Sequence, residues 1–402
     1  MENDKKQPAM RGSMKMVVAL MIGYSIIYMD KQMVSAAMVP ISKQFSLTST
    51  QTGYIMSAFF LAYCLMSIPS GWLVDKFGSK NILLLSLCLT AVFAFAFGWA
   101  NGLIFFMLMR FGSGIGHSGY PSAASKAIAE NFDSEKRVFM QSAILTTTGI
   151  GAILAFTIGT RVIAINWRYG YFLLGALFLI ALVVIALCIP KYKATAVKQT
   201  ATTPVQKVSL GQVLSDSNVL VLALIMVLIN IAAYGSSSWM PTYLTKTYHL
   251  SLSSAGTLLA LNAIWQIVGS LGTGIVLSKW FAGQQKRFLI ITATTGMLST
   301  IVMVSFHNLM LAAVMMAISN LTIVATFTGS FTWSQRLFTE DRIGSATGVL
   351  NFGGTFGGVL GPMLAGFLVD AFKGSFVVAF VVLGVLLFVS SLLTLFIKTT
   401  AK

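Results

Sequence analysis

The chain has 402 residues, 56% of them hydrophobic and 9% charged, whereas a water-soluble domain carries about 25% charged residues; a soluble fold is excluded and an integral membrane protein is expected. The net charge of +16 suggests a nucleic-acid partner, a reading that the placement of the charges rejects below. Cys64, Cys88 and Cys188 lie singly in apolar segments without metal or redox spacing, so no disulfide framework and no metal site are expected.

The opening stretch MENDKKQPAMRGSMK is polar and has no small-residue cleavage site before the first apolar run, so it reads as a retained tail, residues 1–15. The run from Val17 to Pro40 is long enough to cross a bilayer, since ~20 apolar residues span the hydrocarbon core, yet it contains Asp30 and Lys31. Each charge costs roughly 2.5–3.5 kcal/mol near the centre of a membrane helix. A pair retained there points to a cavity, a partner or a substrate path.

Spans are predicted at 16–40, 51–74, 81–99, 103–129, 138–160 and 169–189, then at 217–242, 252–277, 288–305, 309–333, 344–370 and 376–397. The fold class is all-α and membrane-integral: twelve transmembrane helices in two six-helix bundles, 16–190 and 217–397, with a polar linker 191–216 and a tail 398–402. Counting Lys and Arg in alternate connections places 19 on the side of the termini and linker and 5 on the other. The positive-inside rule then puts both termini in the cytoplasm of a multi-pass cell-membrane protein. The basicity is topological; the bilayer is the partner and nucleic acid is not.

The halves repeat. Pro40 pairs with Pro241, Gly53 with Gly256, Asp75-Lys76 with Ser278-Lys279, Arg137 with Arg342 and Gly149 with Gly354, at separations of 201, 203, 203, 205 and 205. Two bundles duplicated in the same orientation place a substrate path at their interface, near the bilayer midplane.

In the fourth span, Arg110 and His117 are seven residues apart and share one helix stripe, with Gly112, Gly114, Gly116 and Gly119 thinning the helix around them. Arg110 and Asp30 fall at comparable depth, so a contact between them is expected. Arg110 is the candidate anion ligand, because its planar fork binds carboxylate or phosphate in two places and stays charged. Lys31 is a second positive group, and Tyr24, Tyr28 and Tyr63 offer hydroxyl donors. Asp30 is the candidate proton site: an anion at Arg110 would loosen its hold on Asp30 and favour protonation. The plainer alternative is a permanent ion pair of Asp30 with Lys31 or Arg110 that joins helices. Histidine titrates near neutral pH, so His117 is a second proton-coupling candidate. Lys126 points elsewhere on its helix and reads as a snorkelling anchor. Thr147, within the run Thr146 to Thr148, and Tyr234, Asn262, Gln266 and Asn351 offer neutral donors from both halves. The second half has no acid or base inside its spans, so the coupling chemistry belongs to the first.

GSGIG at Gly112 to Gly116 imitates a phosphate loop but lacks a preceding strand and the Lys-Ser/Thr pair. No Walker sequence is present, which argues against a primary pump. No catalytic residue and no cofactor is expected.

GWLVDKFGSK, Gly71 to Lys80, resembles the G-x-x-x-D-[RK]-x-G-[RK]-[RK] loop of the major facilitator superfamily. The resemblance implies a gating role for Gly71, Asp75, Lys76, Gly78 and Lys80, as a latch of the outward-facing state. NFDSEKR, NWRYGYFLLG, WMPTYL and FTEDRIGSATGVLNFGGTFGGVLGP resemble the superfamily's anion:cation symporter branch, as does Tyr24-x-x-x-Tyr28-x-Asp30-Lys31, where the branch usually has Arg at the last position. In that branch the position of His117 is typically Glu, a proton carrier. The resemblance implies a monomeric secondary transporter of a small organic anion, a sugar acid or other carboxylate, in proton symport with sodium as the alternative coupling ion. Rival readings are proton-driven efflux of amphipathic compounds and a transporter-like ligand sensor.

Overall fold

The structure, a computed structural model, describes residues 13–190, 215–338 and 340–398. The tail through residue 12, linker residues 191–214 and the end beyond 398 lie outside the described residues, and with them Lys5, Lys6, Arg11, Lys191, Lys193, Lys198, Lys207 and Lys402 of the charge count.

Twelve long helices follow among the described residues: α1 Met14–Gln44, α2 Ser49–Phe77, α3 Ser79–Trp99, α4 Leu103–Asn131, α5 Ser134–Leu154, α6 Trp167–Cys188, α7 Ser217–Thr247, α8 Leu252–Lys279, α9 Gln285–Ser305, α10 Leu309–Leu337, α11 Glu340–Ala371 and α12 Phe376–Leu392. The fifth element continues through a π-helical turn, Ala155–Gly159, into the helical piece Thr160–Ile165, an irregularity that the hydropathy pattern does not announce. Eleven membrane-crossing candidates are found by length and apolar content. The one left out is α4, whose Arg110, His117, Lys126 and Glu130 lower its hydropathy despite its 29 residues.

Local chemistry sets many of the helix ends. Thr48 and Gln51 form a capping box at the start of α2, and Asp216, Ser251 and Asn308 cap α7, α8 and α10 with their side chains. Pro40 does not end the first helix as the sequence suggests: α1 runs on to Gln44. Its repeat partner Pro241 likewise lies inside α7. Proline removes one backbone donor, which membrane helices tolerate when neighbouring groups take up the freed carbonyl.

The two halves meet at one face, which carries the α1–α2 and α7–α8 turns and is called here the distal face; the chain ends lie at the opposite, terminal face. The contacts follow the repeat. A Cβ on Gly53 of α2 would lie 2.7 Å from the Pro362 carbonyl oxygen of α11, and one on Gly256 of α8 would lie 2.4 Å from the Phe156 carbonyl oxygen in the π-turn. Glycine is required at both positions because backbone meets backbone there. Toward the terminal face, Gly71 of α2, Gly272 and Gly274 of α8, and Gly344 and Gly348 of α11 face open space. These backbone approaches between the halves thus lie toward the distal face, and the glycines toward the terminal face meet no other helix.

Asp370, at the end of α11, binds the distal closure. Its carboxylate accepts from the Ser49 and Thr50 amides at 3.0 and 2.7 Å and from Thr50 Oγ1 at 2.7 Å. It thus caps the first turn of α2 from the other half, where an anion is favoured by the free amides and the helix dipole. The next amide, Gln51, is taken by Thr48 Oγ1. Three charge-assisted bonds at an exposed position contribute on the order of 1–3 kcal/mol in all. Asp370→Ala is expected to raise the population with a separated distal face, read as a longer distance between spin labels at positions 44 and 372 in nanodiscs. Gly256→Val should do the same by steric exclusion. An unchanged distance distribution in both variants would refute this closure.

Candidate substrate and coupling site

The repeat and the capping chemistry bring α1, α2, α4 and α6 together around Asp30. Gly114 makes the approach possible: a Cβ there would lie 2.3 Å from the Phe59 carbonyl oxygen of α2. On α4, Arg110, Ser113 and His117 fall three and four residues apart and line one stripe. All three address the same carboxylate. Arg110 Nη1 donates to Asp30 Oδ1 at 3.0 Å and Oδ2 at 3.2 Å, Ser113 Oγ donates to Oδ2 at 2.9 Å, and His117 Nε2 lies 2.8 Å from Oδ2. The guanidinium sits 4.5 Å over the Phe59 ring, and the His117 ring stands edge-on to the same phenyl at 4.8 Å. Asp30, Arg110 and His117 are each no more than 2% exposed.

This arrangement changes the sequence picture of Arg110. The expected contact with Asp30 is present, but one nitrogen of the fork makes it, Nε has no hydrogen-bond partner, and the group is enclosed. Arg110 is held by Asp30 through Nη1, and what withdraws its remaining N–H groups from a substrate is enclosure, since the side chain is 2% exposed. Sequence reasoning misses Ser113, although its spacing of three from Arg110 on the same stripe is an available signal.

Lys31 has the opposite surroundings. It is half-buried in the seam between the halves, and Nζ donates to the Tyr234 hydroxyl of α7 at 2.9 Å. Aromatic rings surround the ammonium: Tyr234 at 4.5 Å, Phe60 at 5.1 Å, Tyr28 at 5.4 Å and Tyr63 at 5.8 Å from Nζ to the centroids. These faces stabilise a cation by about 0.5–2 kcal/mol each, according to how dry the site is, without neutralising it. Tyr24 stacks on Tyr28 at 5.3 Å, one layer further from the ammonium. Phe60 also packs against Tyr234 at 4.5 Å and so carries the wall across the seam.

The neutral donors are dispersed. Thr147 is fully buried and donates to the Ile144 carbonyl in its own helix at 2.5 Å, so its hydroxyl is engaged away from Lys31. Asn262 lines an apolar groove of about 410 Å³ with Leu258, Trp265, Val314 and Leu321 between α8 and α10, and its backbone carbonyl accepts from Asn320 Nδ2 at 3.1 Å. Gln266 is half-buried one turn further along α8, at the position 203 residues after Tyr63. Asn351 is exposed on α11, toward the terminal face. Of the sequence-predicted donors, Tyr28, Tyr63 and Tyr234 are the ones gathered around Lys31.

At the terminal face, Gly78 ends α2 with φ +83°, a conformation that favours glycine. Gly71 has open space around it. Asp75 is exposed and pairs with Lys126 of α4 at 2.8 Å, so Lys126 ties down the loop within its own half rather than reaching the lipid headgroups. Lys76 lies 4.8 Å over the Trp72 ring. Lys80 Nζ donates to the Ala186 and Ile189 carbonyls at the end of α6 at 2.7 and 2.5 Å, and its second-half counterpart Lys286 donates to the Ile397 carbonyl at 2.9 Å. Both lysines cap a closing carbonyl end of their bundle.

A family model for the Major Facilitator Superfamily matches residues 20–362. The chain belongs to the Major Facilitator Superfamily. It is a membrane transporter by fold and family, and not an enzyme. Among curated relatives, it is 24% identical to the "Hexuronate transporter" of Bacillus subtilis over 85% of this chain and 84% of that protein. It is 25% identical to the "Probable galactarate/D-glucarate transporter GarP" of Escherichia coli over 79% of each. Among solved structures, a bacterial homologue of the human lysosomal transporter Spinster in an inward-facing, occupied conformation superposes with a TM-score of 0.79 at 17% identity, over 94% of this chain and 95% of that one. The nucleoside transporter NupG gives a TM-score of 0.77 at 13% identity, over 94% of this chain and 98% of that one. These two likenesses establish the fold.

The Asp30–Arg110 pair gives a direct test. Removing one partner of a buried ion pair leaves the other uncompensated and costs about 3–5 kcal/mol. Asp30→Ala and Arg110→Ala should each lower the thermal unfolding midpoint, while the double variant is less destabilised than the sum, with a coupling on the order of 1–3 kcal/mol. Additive losses would show that the pair does not act as a unit.

Proposed function

We propose that this protein is a proton-coupled carrier of a small organic anion, a sugar acid or related carboxylate, that works by alternating access. The observation that carries the reading is the contrast between two cations within the membrane helices. Arg110 is neutralised by Asp30 and enclosed; Lys31 stands in the seam with a neutral hydroxyl as its partner. An anion entering the seam finds in Lys31 a charge in need of a counter-charge, and its hydroxyls find the phenols of Tyr28, Tyr63 and Tyr234. The names of the curated relatives, "Hexuronate transporter" and "Probable galactarate/D-glucarate transporter GarP", support the same class of organic anion.

Lys31 is thus the primary anion ligand and Arg110 the group that holds Asp30. An anion on Lys31 adds negative charge beside the Asp30–His117 contact and so favours a proton there, while its departure favours release. Substrate and proton would load together. Under the positive-inside rule, the terminal face is cytoplasmic in a cell membrane, and the structure then corresponds to an inward-open state. The gating loop fits this state: Asp75 pairs within its own half at 2.8 Å, leaving the latch to the second half free to form when the terminal face closes.

The test is uptake of labelled sugar acids into proteoliposomes, with and without an inward proton gradient. Wild type should accumulate an anion and do so faster with the gradient. Lys31→Ala removes a desolvated charge contact worth about 2–5 kcal/mol and should lower kcat/KM by at least about 30-fold. His117→Phe should retain exchange of internal for external anion but lose the response to the gradient. Uptake indifferent to both substitutions would reject the site.

A further inference from the structure

We infer that the site is built for singly charged anions and discriminates against dicarboxylates of the same size. This inference rests on the anion-carrier reading above and narrows its substrate class.

Few cations are open to a substrate at the depth of Lys31. In the described helices, the ionisable Lys, Arg, Asp and Glu side chains other than Asp30, Lys31 and Arg110 sit within about two turns of a helical end, as Lys126, Lys246 and Asp370 illustrate. Arg110 is committed to Asp30 through Nη1 and is 2% exposed; His117 is 1% exposed and set against the same carboxylate. Both are enclosed by the surrounding helices, so the donors they have left do not reach a molecule in the seam as the helices stand. Lys31 remains, and its walls are the rings of Tyr28, Phe60, Tyr63 and Tyr234, which carry no full charge. One carboxylate on Lys31 completes the local charge. A second carboxylate on a six-carbon chain would have to lie against aromatic walls or neutral amides. An ion desolvated without a counter-ion carries a penalty that hydroxyl contacts do not offset.

The aromatic walls act in the same direction. The negative face of a ring attracts cations and repels carboxylates, yet accepts the C–H face of a sugar ring or an uncharged chain. The remainder of the ligand is therefore neutral and hydroxylated or apolar, and its charge is confined to one end.

The experiment compares D-glucuronate, with one carboxylate, and D-glucarate, the same six-carbon chain with two, as competitors for equilibrium binding to the purified full-length protein and as substrates for proteoliposome uptake. The expected result is glucuronate binding with glucarate at least about tenfold weaker, a factor that corresponds to ~1.4 kcal/mol. A second measurement uses Tyr63→Lys, which places another cation on the wall beside Lys31; the preference should fall or reverse, since a dicarboxylate then finds two partners. Equal or tighter binding of glucarate by the wild type overturns the single-charge inference while leaving anion transport intact. If the wild type prefers glucuronate but folded Tyr63→Lys keeps the same ratio, the preference does not arise from the charge count and the inference also fails. Binding of neither acid, nor of lactate or malate as a smaller pair, rejects the anion reading itself and this inference with it.

Discussion

A carboxylate held at the centre of a membrane bundle must be surrounded by donors, and Asp30 imposes that requirement on everything near it. Three side chains of α4 answer it from a single stripe. To bring them within bonding distance, α4 must lie against α1 and pass α2 at backbone contact, which the absence of a Cβ at Gly114 allows. The same stripe makes α4 too polar to register as a membrane span by composition. Its polarity is directed inward, toward Asp30 and the phenyl faces of Phe59 and Phe178, so no charge of that cluster meets lipid.

Next to this enclosed cluster stands Lys31, one residue along the helix and turned away from it. The pairing of neighbouring residues with opposite surroundings separates two tasks. Asp30 faces a closed cluster of side chains from α4; Lys31 faces Tyr234 of the other half across the seam. Their backbone continuity keeps the two within electrostatic reach, and a neighbouring charge alters a group's affinity for a proton, which is the basis of the coupling proposed above.

The seam itself is defined by where the halves can approach. Gly53 and Gly256 permit backbone contact at two points related by the internal repeat, and Asp370 adds a charged cap at one of them. The second point, between α8 and the π-turn after α5, has no charged cap in its immediate contact, so the distal closure is asymmetric: one side is tied by hydrogen bonds and the other rests on packing. Lys31 and Tyr234 meet across the same seam nearer its middle, a bond that uses one of the three ammonium N–H donors.

The sequence by itself determined the membrane class, the twelve spans, the duplication and the terminal-face loop, because each is written in local composition or in fixed spacing along the chain. It also pointed to Asp30, Lys31, Arg110 and His117, since an ionisable group in an apolar span stands out without any knowledge of its neighbours. Depth along the helices already suggested that Asp30 meets Arg110, but the pairing with Lys31 stayed open in the sequence, and the placement of α4 against α1 decides that Arg110 takes Asp30 and Lys31 turns to Tyr234. The same holds for Ser113 and Phe60, ordinary residues whose roles come from what lies opposite. It holds too for Thr147, whose hydroxyl donates within its own helix, and for Asn262, which lies along the apolar groove between α8 and α10. Asp370 makes the point at the surface, since an aspartate near a helix end is unremarked in the chain until the first turn of α2, more than 300 residues earlier, is seen to lie against it.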